Sequence, residues 1–489
     1  MTYRRHLIYA LTTALCLIGS APANAETLRE AVTAALATHP GIEVAQARKD
    51  AAGADESEQF SNLFPEINTT ATGGRVFGNN ATSRGLNVSR GEAYSWLWEG
   101  NASITQPIFN GFETYNRIDA AQAREEAAEF TLTDAKQGLA LRAAQAFLNV
   151  KRAQEAYAKT TSYQDRIKDY LSRINSMVDA GAADESEAAQ AKNIQSQLEN
   201  SVAEMEGQVK LALADYAEVT GSVPAGELNV AMDASDMLYP SADEAVSQAK
   251  ENHPLVLSAE KTLEAEDEEV NAEWGSLMPT LDAEASALKR DQKEEIGGEV
   301  VDQRAVMRMN WNFSTGGGQL ARIKRQKAER SEALARTAQT QREIERDIRR
   351  AYIEHETAMK QKELSAKRAT VTKELFQTYE KQFEASKVRL LQLMQAENQV
   401  FTSELERINA DYRVMMSEYT TLASSGRLLQ AIGIIEDTTA PVAKAVVAQP
   451  VVQPVVAPAS EKTEMVKPVY PKQDYPSAKE DTATPAAGE

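Results

Sequence analysis

Residues 304–313, RAVMRMNWNF, alternate in character. Ala305, Met307, Met309, Trp311 and Phe313 fall on one side of an extended chain, and Arg304, Arg308, Asn310 and Asn312 on the other, because successive side chains of a strand point to opposite faces. Three more segments read the same way. In the stretch 95–105, Trp96, Trp98, Gly100, Ala102 and Ile104 oppose Ser95, Glu99, Asn101, Ser103 and Thr105. In 280–287, Leu281, Ala283, Ala285 and Ala287 oppose Asp282, Glu284 and Ser286, and in 66–73, Ile67, Thr69 and Ala71 oppose Glu66, Asn68, Thr70 and Thr72.

A water-soluble sandwich would turn the polar faces outward. Two features favour lipid against the apolar faces instead. The connecting loops 75–94 and 289–302 are polar and contain glycine, like the outer loops of a membrane barrel. The strands also approach the roughly ten residues that a tilted strand needs to cross a bilayer. Four strands cannot close around a water-filled lumen, and open edges are untenable in lipid. The barrel must therefore be shared between copies, and a ring of three gives about twelve strands with a polar interior.

The strands belong to a duplication. Glu30-Ala31-Val32 followed by His39-Pro40 returns as Glu244-Ala245-Val246 followed by His253-Pro254, and Leu63-Phe64-Pro65 returns as Leu277-Met278-Pro279, all displaced by 214 positions. Beyond the strands, Phe109 with Gly111 answers Phe313 with Gly316, Arg117-Ile118 answers Arg322-Ile323, and Ala146-Phe147 answers Ala351-Tyr352, at 204 or 205. The first copy thus carries about nine extra residues between Pro65 and Phe109, which places the excess in a loop.

Each copy predicts a short helix (27–37; 242–252) ending at His-Pro, where proline suits the first turn of the next helix. That helix runs to Pro65 or Pro279. After the two strands come a very long helix (113–178; 318–382), a tight break and another long helix (186–219; 388–424). In the last of these, Leu391, Met394, Asn398, Phe401, Leu405, Ile408, Tyr412, Met415, Tyr419 and Leu422 follow alternating steps of three and four. Leu198, Val202, Met205, Val209, Ala212, Tyr216 and Val219 do likewise in copy one. Such spacing marks helices packed side by side, with polar Asn398 suited to fixing register.

Composition narrows the class further. Positive Arg4 and Arg5, the apolar run Leu7 to Ile18 and the small residues before Ala25 have the layout of a secretory signal, with cleavage expected after Ala25. The single cysteine, Cys16, lies inside that signal, so the mature chain is expected to hold no disulfide or cysteine-based metal site. No later run reaches the roughly 20 apolar residues of a spanning helix. Removing Arg4 and Arg5 takes the formal charge from −19 to −21, which opposes a nucleic-acid partner.

Over about 27–433 the chain resembles the TolC family of outer-membrane channels. The resemblance rests on the paired His39-Pro40 and His253-Pro254 elements, the strand exit Gln106-Pro107-Ile108-Phe109-Asn110-Gly111, and its counterpart Phe313-Ser314-Thr315-Gly316-Gly317 before a long helix. It implies a mainly α fold with a membrane β-barrel contribution. Long helical hairpins would form a trimeric α-barrel, and four strands per subunit a shared twelve-stranded β-barrel. It also implies a homotrimer in outer-membrane lipid with a long periplasmic extension. The partners would be a periplasmic adaptor, or membrane fusion protein, and an inner-membrane pump or ABC transporter; the cargo would be small molecules or proteins, including type I secretion.

The same resemblance places the adaptor-docking tips at Gly181-Ala182-Ala183 and Ser386-Lys387-Val388. It places the pore constriction at Gln392 and Gln395, where the family carries paired aspartates. Glu187 stands at an acidic position that helps hold the entrance closed, with Arg389 as a nearby partner, and Phe383 replaces a tyrosine that would bond there. A constriction less acidic than the family's follows.

Catalysis has little to work with: after cleavage only His39, His253 and His355 remain, two of them at equivalent positions before proline. Neither an enzyme, a cofactor nor a metal is expected. The run Gly316-Gly317-Gly318 lacks the lysine of a phosphate loop and reads as a strand-to-helix joint. The expected division is a signal at 1–25, a first repeat at 26–222, a linker at 223–240, a second repeat at 241–435 and a proline-, valine- and alanine-rich periplasmic tail at 436–489, disordered by composition. The competing reading is a soluble periplasmic coiled-coil scaffold or adaptor, which would carry one hairpin flanked by glycine-rich β modules, not two equivalent hairpins each introduced by strands.

Overall fold

The computed structural model describes residues 25–78, 93–224, 226–229, 234–292, 299–312 and 315–434. The signal, most of the two strand-connecting loops, Phe313-Ser314 and the tail 436–489 lie outside the described residues.

Each repeat opens with a capped short helix. Thr27 and Glu30 form a reciprocal capping box at the start of α1 (Leu28–Thr38), and Ser241 accepts from the Glu244 amide at the start of α5 (Ala242–Asn252). The His-Pro pairs end these helices and begin the next, α2 (Pro40–Ser61) and α6 (Pro254–Gly275). Proline supplies the first helical position without an orphan N–H. The histidine Nδ1 then accepts from the first available amide, at the second helical position, Gly41 N–H at 3.0 Å and Leu255 N–H at 3.2 Å. Both helices stop four residues before the expected Pro65 and Pro279, in turns that lead to the strands.

Four antiparallel strands follow: β2 (Glu66–Gly78), β3 (Ala93–Phe109), β5 (Thr280–Gln292) and β6 (Glu299–Asn310). They pair in the order β2-β3-β5-β6, so the second repeat's hairpin continues the sheet begun by the first. The register places the expected faces together: Ile67 opposite Ile104 opposite Ala285, and Thr69 opposite Ala102 opposite Ala287. The strands are longer than the alternation alone indicated and reach into the expected loops 75–94 and 289–302. Cross-strand partners explain the extension. Phe77 and Tyr94 meet as tilted rings with centroids 4.8 Å apart, and Lys289 lies 3.6 Å from Glu299. Strand β6 ends at Asn310, earlier than expected, and Trp311 turns its indole N–H to the Leu277 carbonyl at 3.1 Å.

Two helices of 67 residues, α3 (Glu113–Asp179) and α7 (Gly318–Glu384), extend from the sheet, each about 100 Å long at 1.5 Å per residue. Their starts require left-handed residues, Phe112 at φ 65° and Gly317 at φ 72°. At the exit of β3 a side chain on Gly111 would place Cβ 2.4 Å from the Gly275 carbonyl, so glycine is the residue that lets this corner close onto α6. The chain returns along α4 (Glu185–Thr220) and α8 (Leu390–Ser424), and the short α9 (Leu428–Ala431) follows α8. Four pairs of matching elements have equal lengths, 11 residues in α1 and α5, 22 in α2 and α6, 13 in β2 and β5, and 67 in α3 and α7, while β3 has 17 residues and β6 has 12. The order of elements is therefore the same in both copies, and most of the length difference falls between β2 and β3.

The main core forms midway along the helices. Alanines 140, 143 and 144 of α3 are fully buried and admit the close approach of α1, while Phe147, Tyr216, Tyr419 and Leu422 fill the remaining space. One feature went unread in the sequence. The inter-repeat linker carries a two-residue strand, β4 (Leu228–Asn229), parallel to β1 (Glu26–Thr27), and the Tyr216 hydroxyl donates to Glu26 Oε1 at 2.5 Å.

Candidate functional site at the hairpin tips

The long helices reverse at two turns built alike. In the first, Gly181 sits at φ 69°, its N–H donates to the Val178 carbonyl, and Ala182 N–H donates to the Met177 carbonyl. In the second, Ser386 sits at φ 57°, its N–H donates to Phe383, and Lys387 N–H donates to Gln382. Both are Schellman closures, in which a left-handed residue lets the last amides return to the helix carbonyls. Gly181 and Ser386 are thus equivalent, which fixes the tip alignment at an offset of 205. The expected tip residues Gly181, Ala182, Ala183, Ser386, Lys387 and Val388 all lie in these turns.

Glu187 stands on the first turn of α4 and is buried. Arg389, the residue before α8, reaches across, and its Nη1 donates to Glu187 Oε1 at 2.7 Å. The guanidinium is 70 % exposed while the carboxylate is 8 % exposed, so the acid is the desolvated partner. Behind this pair, Leu390, Leu393 and Met394 pack with Ile167, Ile174, Ala191 and Leu198 into a cluster joining both hairpins, and Phe383 rests on its edge.

Gln392 and Gln395 project from the opposite face of α8 and are exposed, while Leu393 and Met394 between them are buried. Gln392 Oε1 also accepts from the Arg389 amide at 3.3 Å, which ties it to the turn that holds the Glu187 contact.

The cluster contains a charged residue that the sequence reading passed over. Glu397 is 4 % exposed and is paired with Arg166 of α3. Tyr163 stacks on Phe401 at 4.3 Å and donates its hydroxyl to Asn398 Oδ1 at 3.2 Å. Burial, and then the Glu397 carboxylate, push the hydroxyls of Tyr163 and Tyr170 above the usual phenol range, so both remain protonated donors. The missed signal was periodicity. Glu397 is three residues after Met394 and four before Phe401, and so shares their buried stripe.

At the opposite end of the long helices from the tips, the sheet keeps its two faces distinct over the segments nearest the helices. One exposes Ile67, Trp98, Met307 and Met309. The other is laced with ion pairs, Arg308 and Arg304 to Glu284 at 2.6 and 3.2 Å and Arg290 to Glu99 at 2.6 Å. Among the described residues no helix is long and apolar enough to cross a membrane.

A family model described as "Outer membrane efflux protein" matches residues 31–222 and 245–426, one segment in each repeat and well over half of the chain. The chain belongs to the outer membrane efflux protein family. Among curated proteins it is 24 % identical over 349 residues to the outer membrane efflux protein BepC of Brucella suis biovar 1 (strain 1330), covering 70 % of this chain and 76 % of that protein. Among solved structures it resembles the CmeC outer membrane channel of Campylobacter jejuni, with TM-score 0.70, 16 % identity and coverage of 82 % and 86 %. It also resembles the open state of the MtrE outer membrane channel of Neisseria gonorrhoeae, with TM-score 0.69, 14 % identity and coverage of 82 % and 89 %. The fold is that of the TolC-like channels, internally duplicated and mainly helical, and the family is one of outer-membrane channels rather than of enzymes.

Proposed function

We propose that three copies of this chain close a twelve-stranded barrel in the outer membrane and continue it into a periplasmic tunnel of twelve helical strands. The observation that carries this reading is the sheet itself. Among the described residues, strands β2 and β6 each have one strand partner and one open edge, and over the part of the sheet nearest the long helices one face is apolar and the other ion-paired, the Lys289–Glu299 pair joining the apolar face only at the far ends of β5 and β6. A row of unpaired N–H and C=O groups costs too much in hydrocarbon to stand alone. Pairing β6 of one copy with β2 of the next removes both edges, turns the apolar face to lipid and encloses the ion-paired face.

In this reading the protein is a passive conduit, and an inner-membrane pump or ABC transporter supplies the energy. The small residues at Gly181-Ala182-Ala183 and the turn Ser386-Lys387-Val388 dock a periplasmic adaptor. Gln392 and Gln395 ring the constriction as neutral polar groups. The Glu187–Arg389 pair holds the entrance until docking or cargo shifts the tips. The chain divides into the signal 1–25, repeats at 26–222 and 241–435 around a linker at 223–240, and the tail at 436–489.

Membrane fractionation followed by planar-bilayer recording tests the reading. Recovery in the outer membrane with discrete conductance steps is expected. Recovery of the mature chain only in the soluble periplasm would reject it.

A further inference from the structure

The two hairpins of one subunit are joined at a second level above the tips. Glu397 lies eight residues beyond Arg389, about 12 Å farther along α8, and its partner Arg166 belongs to α3 of the other hairpin. The contact sits where Tyr163, Ile167, Leu393, Met394 and Phe401 form the otherwise apolar seam. Among the described residues, Glu397 Oε2 is buried and no donor meets it in good hydrogen-bond geometry, the Tyr170 hydroxyl being the polar group that lies near the carboxylate.

A carboxylate in such a place is not the most stable solution. Only the carboxylate is taken out of water, the Arg166 side chain being 45 % exposed against 5 % for Glu397; a buried carboxylate held this way is often no better than an apolar residue of the same volume, yet removing its partner leaves an uncompensated buried charge. The seam therefore closes while the pair is intact and remains separable, because parting the helices returns water to both oxygens of Glu397. A seam filled only with leucine and methionine would lack that return.

We propose that Arg166 and Glu397 are positioning residues that set the balance between closed and open arrangements of the hairpins, holding α8 against α3 while keeping the contact reversible. This rests on the channel reading given above. The pair differs from the Glu187–Arg389 contact in bridging helix bodies rather than turns.

Planar-bilayer recording of the full-length protein, extracted from outer membranes, tests the proposal with four forms: wild type, Arg166→Gln, Glu397→Gln and the double variant Arg166→Met/Glu397→Leu. Arg166→Gln leaves the buried carboxylate unpaired and is expected to raise mean conductance roughly tenfold. Glu397→Gln, nearly isosteric, raises it less and carries the test should Arg166→Gln fail to accumulate. The double apolar variant is expected to conduct less than wild type. A role in packing alone would not produce opposite directions. Single variants that conduct like wild type, or a double variant as open as the singles, would overturn the latch alone. A wild-type protein that never conducts would overturn the channel reading and the latch with it.

Discussion

Arg389 Nη1 meets Glu187 Oε1 at 2.7 Å, and this contact joins the turn of one hairpin to the first helical turn of the other. Its two halves are unequal. Deleting Arg389 strands a carboxylate that is 8 % exposed, whereas deleting Glu187 frees a guanidinium already 70 % exposed to water. Arg389→Ala should therefore loosen the tips more than Glu187→Gln, by about 1–3 kcal/mol against less than about 1. Single-channel recording reads this as a larger and more frequent opening in Arg389→Ala. Equal effects would show that the pair is not desolvated in the assembled channel.

Gln392 and Gln395 share an exposed stripe of α8 near the same turn. Three-fold repetition of Gln392→Asp would add three carboxylates to one ring of the tunnel, and charged rings select counterions. Cation preference measured from reversal potentials in a salt gradient should rise several-fold. Unchanged conductance and ion preference would remove both glutamines from the constriction.

Ser386 holds φ 57° where its equivalent, Gly181, is a glycine. A left-handed serine costs about 1 kcal/mol that glycine avoids. Ser386→Gly should raise thermal stability by about that amount in detergent, while Gly181→Ser lowers it. Identical melting curves would mean that the turn relaxes in the assembled protein.

Burial lowers the His253 imidazole to a pKa of about 4. Its Nδ1 must stay unprotonated to accept from the Leu255 amide. A base whose folded pKa lies below its unfolded value of about 6.5 is destabilised by protonation. The contribution is present in full above about pH 6.5 and is lost as pH falls towards 4, roughly 3 kcal/mol in all. Denaturant unfolding at pH 7.5 and 4.5 should show this loss. His253→Asn, which caps without titrating, should remove that share, leaving the loss from His355, which burial also lowers. Parallel pH profiles for the two proteins would contradict it.

Much of this architecture was written openly in the sequence. His39-Pro40 and His253-Pro254 marked equivalent helix junctions because histidine caps and proline starts a helix, and both act locally. The long helices were legible because small and apolar residues recur at steps of three and four over dozens of positions. Strand ends were less so, because Arg75, Lys289 and Glu299 read as loop and are held in the ladder by partners across the sheet. Glu397 was hidden for another reason. In helices rich in Glu, Lys and Arg a single carboxylate reads as solvated, and only the packing of α3 on α8 shows that it is enclosed. The Arg389–Glu187 contact was anticipated through family resemblance, since residues 202 positions apart carry no local sign of their pairing.

The shared barrel is tested most directly at its open edges. The only cysteine, Cys16, falls within the expected signal, so cysteines introduced at Thr69 on β2 and, in turn, at Ala305, Met307 or Met309 on β6 report on that junction alone. Oxidation of the protein in outer membranes should yield covalent dimers and closed trimers for at least one pair, reversed by reductant and absent from each single-cysteine control. Chains that remain monomeric for every pair, or that crosslink only within themselves, would contradict a barrel built from three copies.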